Sequence, residues 1–373
     1  MAELVALDLP GGATFVDAVR RVWDRGDAVL AVDQRLPQAA RQRLFEALRP
    51  TVLLDVAGEQ SLDGDPVEPG DALVVPTSGS TGTPKGVVHT HDGLAASARA
   101  GNARLGTTTD DHWLACLPLA HIGGFTVVTK ALFAGAGLTV LPRFDADAVV
   151  AAAARGATMV SLVPTALRRI DPASFRVVLL GGSRPPTERP VNVIATYGST
   201  ETGSGVVYDG QPLDGVEIRI ADDGEILVRG PMLMRGYRDG TTSIDADGWL
   251  HTDDLGAWTA DGRLHVDGRR GDMIVSGGEN IWPDAVERVL ATDPDVADVA
   301  VTGIADHEWG QRVTAWVVPA DAERPPPAER LRALVADRLA PFMAPKRIHM
   351  VVDLPRTPLG KVIRASLVEP GPE

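Results

Sequence analysis

Hydrophobic residues along this chain recur in two patterns, the period of about 3.6 residues of helices and the short unbroken runs of buried strands. Between residues 145 and 180 the two patterns alternate. They predict a helix, a strand, a helix and a strand at Ala146–Ala154, Thr158–Val163, Pro164–Ile170 and Val177–Leu180. Because β-branched runs alternate with helices, we expect a parallel α/β sheet. Further helices are predicted at Thr14–Arg25, Leu36–Leu48 and Thr90–Leu105, with Asp92 as the N-cap of the last.

The second half of the chain has a different pattern. Residues 206–267 are glycine-rich and contain short alternating strands, which predicts a small β-rich subdomain. After the turn at Gly268–Asp272, the pattern predicts helices at Asp284–Leu290 and Ala328–Leu339 and strands at Val296–Ile304 and Arg312–Val318. We therefore predict an α/β fold: a large N-terminal domain with parallel sheets, residues 1–270, and a small mobile α+β C-terminal domain, residues 271–373.

Composition narrows the classes of protein. The 373 residues are enough for two domains with separate cores, and 44% hydrophobic and 23% charged residues are typical of soluble globular proteins. The net charge of −14 argues against nonspecific binding to nucleic acid or to anionic membranes. The single cysteine, Cys116, excludes an intrachain disulfide and a cysteine metal cluster. With no signal-peptide pattern and no run of 18 apolar residues, we expect a cytoplasmic protein without membrane insertion.

A glycine- and hydroxyl-rich stretch at residues 76–86 is the strongest candidate for chemistry. It follows the predicted strand Ala72–Val75 and contains these hydroxyl, glycine and lysine residues: Thr77, Ser78, Gly79, Ser80, Thr81, Gly82, Thr83, Lys85 and Gly86. Glycines let backbone N–H groups turn toward one anion, and Lys85 adds positive charge, so we expect a cradle for a polyphosphate. Pro84 and Gly86 flank the lysine, so no helix begins there as a P-loop requires. A flexible linker is the alternative, but it would not need a strand on each side.

The segment Thr77–Gly86 resembles the ATP-binding loop of the adenylate-forming enzymes, the family of acyl-CoA synthetases, luciferases and peptide-synthetase adenylation domains. Other segments resemble motifs of this family in the same order: Leu117–Gly124, Tyr197–Glu201, Trp249–Gly256, Ile274–Pro283 and Leu354–Lys361. The matches span residues 73–364, most of the chain. Relative to the family, the segment before the loop is short, and part of the usual N-terminal subdomain is expected to be missing.

The resemblance implies a role for each nucleotide-site residue. The loop residues Thr77, Ser78, Gly79, Ser80, Thr81, Gly82 and Lys85 are expected to hold the phosphates of ATP. Gly181, Gly182 and Ser183 would pack against the adenine, as would Tyr197 with Gly198 and Ser199. Thr200 would contact the α-phosphate, and the Glu201 carboxylate would hold Mg²⁺. Asp254 would bind the ribose, and Arg269 would reach the nucleotide. The neighbouring Asp253 replaces a family glycine, so it stays open whether Asp253 or Asp254 faces the sugar.

The acyl, coenzyme A and catalytic sites are also assigned by resemblance. His121 and Ser204 are expected at the acyl pocket, although His121 on its own could equally be a core histidine. Lys130 is the one charged residue between Ile122 and Leu141, and it either snorkels to water or meets a carboxylate of the substrate. Gly277 and Gly278 are expected to contact coenzyme A. Lys361 is expected to be the catalytic lysine, carried by a domain that turns about the hinge residue Gly271.

The expected reaction joins a small carboxylic acid to coenzyme A, with ATP and Mg²⁺, through an acyl-adenylate. The short chain and Lys130 resemble the compact ligases that act on o-succinylbenzoate in menaquinone synthesis. A ligase for another acyl or aryl acid is the first alternative. A nucleotide-binding regulator without acyl chemistry is the second alternative. Separately, His89 and His91 are expected to make local hydrogen bonds rather than bind a metal. A homodimer is a further hypothesis.

Overall fold

The computed structural model describes residues 2–78, 84–182, 185–186, 188–357 and 362–369. The helices are α1 (Ala13–Asp24), α2 (Gln38–Leu48), α3 (His91–Leu105), α4 (Ile122–Ala134), α5 (Ala146–Ala154), α6 (Pro164–Leu167), α7 (Pro283–Leu290) and α8 (Ala328–Arg338). The strands of the first half are β1 (Leu4–Leu7), β2 (Ala28–Ala31), β3 (Val52–Asp55), β4 (Gly58–Ser61), β5 (Asp71–Ser78), β6 (Pro84–Thr90), β7 (His112–Ala115), β8 (Gly137–Val140), β9 (Met159–Leu162), β10 (Val177–Leu180), β11 (Val193–Ser199), β12 (Ser204–Tyr208) and β13 (Gln211–Pro212). Those of the second half are β14 (Glu217–Ile220), β15 (Glu225–Arg229), β16 (Gly236–Tyr237), β17 (Leu250–Trp258), β18 (Leu264–Arg269), β19 (Ile274–Ser276), β20 (Glu279–Ile281), β21 (Val296–Asp306), β22 (Gly310–Pro319) and β23 (Arg347–Met350).

Two mixed sheets form the first part of the fold. Within the described residues, one has seven strands in the order β16-β6-β5-β2-β1-β3-β4, and the other has seven in the order β13-β12-β11-β10-β9-β7-β8. The inner strands pair in parallel, β1 with β2 and β3, and β10 with β9 and β11. Their sequences, such as Leu4–Leu7 and Val177–Leu180, are continuous apolar runs with every residue buried, as expected for strands covered on both faces. The predicted α/β class with parallel sheets is confirmed.

Two smaller sheets follow in the chain. In the part that the structure describes, the order is β14-β15-β17-β18 in one, and β20-β19-β22-β21 with β23 on β22 in the other. The chain divides into two compact units, the first made of residues 1–219, 227–252 and 260–264, the second of residues 220–226, 253–259 and 265–373. The second has its own core, in which helices α7 and α8 bury Val286, Leu290, Leu331 and Val335. The functional division at residue 270 stays a prediction.

Two local predictions are corrected. Thr90, not Asp92, is the N-cap of α3, because the Thr90 Oγ1 atom accepts a hydrogen bond from the Gly93 N–H at 3.1 Å. Asp92 lies in the first turn of that helix. Helix α6 ends at Leu167 rather than Ile170, because the next N–H groups bond three residues back instead of four: Arg169 N–H donates to Ala166 O at 3.0 Å and Ile170 N–H to Leu167 O at 3.3 Å.

Candidate active site

Strands β5 and β6 form an antiparallel hairpin whose tip is the predicted phosphate loop. Thr77 is opposite Lys85, and the backbone of Ser78 is opposite Pro84. The Thr77 hydroxyl donates to the Lys85 carbonyl oxygen at 3.4 Å. The hairpin therefore fixes the positions at which the loop begins and ends. The predicted loop residues Gly79, Ser80, Thr81 and Gly82 lie outside the described residues, as do Ser183 and Lys361.

Lys85 and Glu201 both contact the side chain of Tyr237, Lys85 at the ring face and Glu201 at the hydroxyl. The Lys85 Nζ atom lies 5.0 Å from the centre of the Tyr237 ring, a cation–π contact. The Tyr237 hydroxyl donates to the Glu201 Oε1 atom at 3.2 Å. The predicted phosphate-binding lysine and the predicted Mg²⁺-binding carboxylate thus share one site, although 115 intervening residues separate them. Tyr237 lies in none of the sequence motifs described above.

The turn that carries Thr200 and Glu201 connects β11 to β12, and three parts of the chain hold it. Its carbonyl oxygens accept hydrogen bonds from elsewhere in the unit: Thr200 O from His89 Nε2 at 2.8 Å, Glu201 O from Met234 N at 2.8 Å and Gly203 O from Ser97 Oγ at 2.9 Å. Inside the turn, the Thr202 hydroxyl accepts from the Ser199 N–H at 2.8 Å. The backbone of the motif is therefore fixed before any ligand binds.

His89 is the most deeply buried of these supports. Its side chain is fully buried on β6, and burial lowers its pKa to about 4, so the ring is neutral at pH 7. A neutral ring can donate from one nitrogen, and the carbonyl of Thr200 identifies that nitrogen as Nε2. The prediction that His89 serves local hydrogen bonding is confirmed.

The predicted adenine site lies where parallel strands β10 and β11 end. Gly181 follows β10 directly, and a side chain there would place its Cβ 2.8 Å from the Thr196 hydroxyl oxygen on β11. Gly182 has φ +80°, a left-handed conformation that glycine adopts at little cost. Half-buried Tyr197 and exposed Gly198 lie on β11, so the structure brings the residues of the two motifs onto neighbouring strands.

The close approach of Gly198 to Ser204 explains why the Tyr197–Glu201 motif contains a glycine at position 198. A Cβ atom on Gly198 would lie 2.1 Å from the Ser204 carbonyl oxygen, so no side chain fits there. Ser204 itself has φ +115°, a conformation that is costly for any residue but glycine. Backbone strain of this kind is concentrated at functional sites, and Ser204 was predicted at the acyl pocket on resemblance alone.

His121 begins helix α4 and lies beside an acidic residue. Its Nε2 atom is buried without a hydrogen-bond partner among the described residues, and it lies 3.9 Å from Asp33 Oδ2. Burial lowers the pKa of His121, while the nearby Asp33 opposes that change. Asp33 in turn accepts from the Arg35 guanidinium at 2.7 Å and 2.9 Å. No motif points to Asp33 and Arg35, which precede His121 by more than 80 residues.

Lys130 lies on the same helix and is only 2% exposed. No hydrogen bond or ion pair joins its ammonium group to any residue in the described part of the chain, and burial alone lowers its pKa to about 8. The aliphatic part of its side chain passes Gly101, where a Cβ would lie 3.0 Å from Lys130 Cε and 3.1 Å from the Tyr208 hydroxyl. No acidic group of the described residues therefore pairs with Lys130, and whether its ammonium reaches water or a carboxylate of the substrate stays a prediction.

The predicted ribose and coenzyme A residues lie in the second compact unit. Asp253 has φ +58° and donates its N–H to Glu225 Oε1 at 3.0 Å, so it takes the left-handed conformation that suits the family glycine. The Asp254 carboxylate lies 3.7 Å from the Arg269 guanidinium. Gly277 and Gly278 are consecutive residues with φ +61° and +85°, which form the turn of the β19–β20 hairpin.

The segment that follows the predicted catalytic lysine is anchored by a half-buried arginine, Arg364. Arg356 forms an isolated antiparallel bridge with Val362, and Arg364 lies two residues further on. The Arg364 guanidinium donates to Glu287 at 2.8 Å and to Asp284 at 3.1 Å, and it lies 3.6 Å from Asp272, next to the predicted hinge. These contacts tie the chain on one side of Lys361 to helix α7.

The chain belongs to the AMP-binding enzyme family. Residues 13–238 match the family described as AMP-binding enzyme, and residues 285–361 match the AMP-binding enzyme C-terminal domain. The resemblance to adenylate-forming enzymes is thereby confirmed. In the described ranges no helix is long and apolar enough to cross a membrane.

Individual relatives are more specific. The chain is 40% identical to a probable 2-succinylbenzoate–CoA ligase of Mycobacterium tuberculosis, with 97% of each chain covered. It is 36% identical to a 2-succinylbenzoate–CoA ligase of Bacillus cereus, covering 79% of this chain and 69% of the relative. Among solved structures, the o-succinylbenzoate CoA synthetase of Bacillus subtilis in complex with its acyl-adenylate intermediate superposes with a TM-score of 0.87 at 30% identity, covering 99% of this chain and 88% of the other. The same enzyme has also been solved with ATP and a magnesium ion, with a TM-score of 0.85 at 31% identity, covering 98% and 89%.

Proposed function

We propose that this protein is an AMP-forming acid–CoA ligase that activates 2-succinylbenzoate. One carboxylate oxygen of the acid attacks the α-phosphorus of ATP, and pyrophosphate leaves with the electron pair of the broken P–O bond. The sulfur of coenzyme A then attacks the acyl carbon, its proton is lost, and AMP leaves. Adenylation is needed because an oxide is a poor leaving group and AMP is a good one. The names of the relatives and the convergence of Lys85 and Glu201 support this reaction class.

The residues near Tyr237 fit a magnesium nucleotide. Mg²⁺ is commonly held by one or two carboxylates together with substrate phosphates and water. Glu201 supplies one carboxylate whose Oε1 already accepts from Tyr237, which leaves Oε2 to face a metal. Lys85 supplies the cation for the phosphates, and a bound Mg²⁺ would offset further negative charge there. The Thr200 hydroxyl would contact the α-phosphate, on a backbone that His89 fixes.

The remaining roles are proposed on the family pattern. Asp254 binds the ribose hydroxyls with Arg269 beside it, and Gly277 and Gly278 allow the pantetheine of coenzyme A to pass close to the backbone. Lys361 stabilises negative charge that develops during adenylation. We also propose a cytoplasmic location and a homodimer, and sedimentation of the purified protein tests the second.

The substrate assignment rests on one observation, the burial of Lys130 without a described counterion. Taking a lysine out of water is costly unless its charge is balanced. 2-Succinylbenzoate has two carboxylates, so one can be activated while the other pairs with Lys130. A fatty acid or a simple aryl acid would leave the ammonium unpaired. His121 and Ser204 are proposed to line the same pocket.

The test is carboxylate-dependent exchange of pyrophosphate into ATP over a panel of acids, with wild type and Lys130→Met. We expect wild type to prefer the diacid, and the variant to lose about 30-fold or more in apparent affinity for it, since one partner of a desolvated charge pair is typically worth about 2–5 kcal/mol. Affinity for ATP should change little. Preference of both proteins for monocarboxylic acids would point to another acid–CoA ligase, and no exchange with any acid would point to a nucleotide-binding regulator.

A further inference from the structure

Tyr237 contacts both charged residues of the phosphate site, Lys85 and Glu201, and its ring lies between them. Its ring face lies 5.0 Å from the Lys85 Nζ atom, and its hydroxyl lies 3.2 Å from Glu201 Oε1. Among residues the structure describes, Lys85 and Glu201 form no direct ion pair with each other. The cation and the carboxylate are therefore separated by the ring that both of them contact.

The position of Tyr237 is set by the edge of the first sheet. Strand β16 pairs with β6 so that Tyr237 is opposite Val87, two residues after Lys85. Arg235, two residues before Tyr237, holds this edge because its guanidinium donates two hydrogen bonds to the Asp71 carboxylate, at 2.9 Å and 3.0 Å. Asp71 is 1% exposed and the Arg235 side chain is 36% exposed, so the carboxylate of this pair is shielded from water while the guanidinium reaches the surface. The tyrosine thus belongs to a rigid edge, whereas Lys85 is at the base of the loop.

A direct ion pair between Lys85 and Glu201 would oppose nucleotide binding. It would neutralise the cation that the phosphates need and occupy the carboxylate that the metal needs, and it would have to break first. The hydroxyl of Tyr237 instead orients Glu201 through one oxygen, and the ring attracts the ammonium through its face without neutralising it.

From this geometry we propose that Tyr237 is a positioning residue, which holds the Glu201 carboxylate for Mg²⁺ and the Lys85 ammonium for phosphate and keeps the two from pairing. The inference rests on the proposed function, because it takes the site to be one for magnesium and ATP. This role differs from a purely structural one because the Tyr237 hydroxyl should affect only magnesium-dependent binding of ATP, whereas the ring should also affect binding of ATP without magnesium.

The hydroxyl is tested by Tyr237→Phe, with binding of ATP measured by calorimetry in the absence of acid and coenzyme A. In magnesium chloride we expect the variant to bind ATP about tenfold more weakly than wild type, the effect of losing one hydrogen bond to a charged group. In EDTA the two proteins should bind ATP equally. Ser243→Ala is the matched control, because Ser243 Oγ lies 3.4 Å from the same hydroxyl and, among the described residues, no hydrogen bond joins it to Glu201; the variant should bind like wild type in both conditions.

The ring is tested by Tyr237→Leu, which removes both contacts. We expect weaker ATP binding in EDTA as well, by about threefold to tenfold, since the cation–π contact is lost and Lys85 can pair with Glu201. In a Glu201→Gln background, Tyr237→Phe should have no further effect on magnesium-dependent binding. Equal losses for Tyr237→Phe with and without magnesium, or wild-type binding in both, would overturn the inference while leaving the proposed function intact. Absence of ATP binding by wild type would overturn both.

Discussion

The Nε2 atom of His89 lies 2.8 Å from the carbonyl oxygen of Thr200, and this bond joins the strand after the phosphate loop to the turn that carries Glu201. Because burial of the His89 ring favours its neutral form, the stability of the protein depends on pH, and the hydrogen bond to Thr200 only partly opposes that effect.

Acid should destabilise the protein through His89. Its pKa is lowered from 6.5 to about 4 in the folded protein, so between these values the unfolded chain binds a proton that the folded one does not. Stability is therefore present above pH 6.5 and is lost as pH falls to about 4, by about 3 kcal/mol. In His89→Gln the amide can still donate to Thr200 but does not titrate, and its loss of stability between pH 7.5 and pH 4 should be smaller than that of wild type.

Urea unfolding at a series of pH values measures this difference. His307→Gln, which removes an exposed histidine, is the control and should follow wild type. If His89→Gln runs parallel to wild type over the whole range, burial of His89 is not the source of the acid sensitivity.

Recognition of the diacid should weaken in alkali. The pKa of Lys130 is lowered by burial to about 8, so the charged form that a carboxylate needs is depleted above that pH. In the pyrophosphate-exchange reaction, KM for the diacid should rise as pH passes 8, by up to about tenfold for each further pH unit, while KM for ATP stays constant. Lys130→Met should show no such rise. A flat KM for the diacid from pH 7 to pH 9.5 in wild type would refute the proposed pairing.

The two half-reactions should separate in Lys361→Ala. A cation placed where negative charge develops lowers the barrier of that step only, and we assign Lys361 to adenylation. We expect a loss of about 100-fold or more in adenylation and near wild-type thioester formation from supplied acyl-adenylate. Lys346→Ala is the control, since Lys346 stacks on Trp309 at 4.6 Å and has no proposed role in catalysis. Equal losses in both half-reactions would rule out this division.

Arg364→Met should destabilise the second compact unit most at high pH. Arg364 is the cation opposite Glu287 and Asp284, and because these side chains are 17–28% exposed, its removal should cost less than the roughly 3–5 kcal/mol of a fully buried pair. Burial raises the pKa of Glu287 and Arg364 opposes the rise, so without the arginine the carboxyl protonates more readily. Since its folded pKa then lies further above its unfolded value, stability falls as pH rises, and the deficit should be smaller at pH 5 than at pH 8.

Denaturant unfolding at pH 5 and pH 8 measures that deficit. Arg324→Met provides the comparison, because Arg324 pairs with Asp321 at the surface with both side chains more than half exposed, and the substitution should cost less than about 1 kcal/mol at either pH. A deficit for Arg364→Met that does not change with pH would mean that Glu287 is not left as an unpaired charge.

Local features of the fold were predictable where one pattern governs a segment. Ala146–Ala154 and Val177–Leu180 match α5 and β10 to the residue, because Asp145 caps the start of the helix and the strand is a short apolar run that ends at Gly181–Gly182. The predicted N-cap of α3, Asp92, was wrong because Thr90 and Asp92 can both cap a helix. Thr90 is the cap because its backbone still has the extended conformation of the preceding strand. Strands as short as Gly236–Tyr237 have too few residues to show a period at all.

The candidate site was predictable as motifs but not as an arrangement. The residues of the phosphate hairpin and of the Tyr197–Glu201 motif are contiguous, so a sequence displays them directly. The meeting of Lys85, Tyr237 and Glu201 depends on β16 pairing with β6 across about 150 residues, and nothing in either segment specifies that partner. Asp33 beside His121 is hidden for the same reason.

Lys130 also implies a trade-off between heat resistance and substrate choice. A lysine whose folded pKa lies near 8 rather than 10.5 lowers the free energy of unfolding at neutral pH by up to about 3 kcal/mol relative to an uncharged side chain. We therefore expect Lys130→Met to melt at a higher temperature than wild type while recognising the diacid poorly, and differential scanning calorimetry checks the first part. Selection for thermal robustness alone would remove this lysine, so its retention would have to be enforced by the need to discriminate between acids.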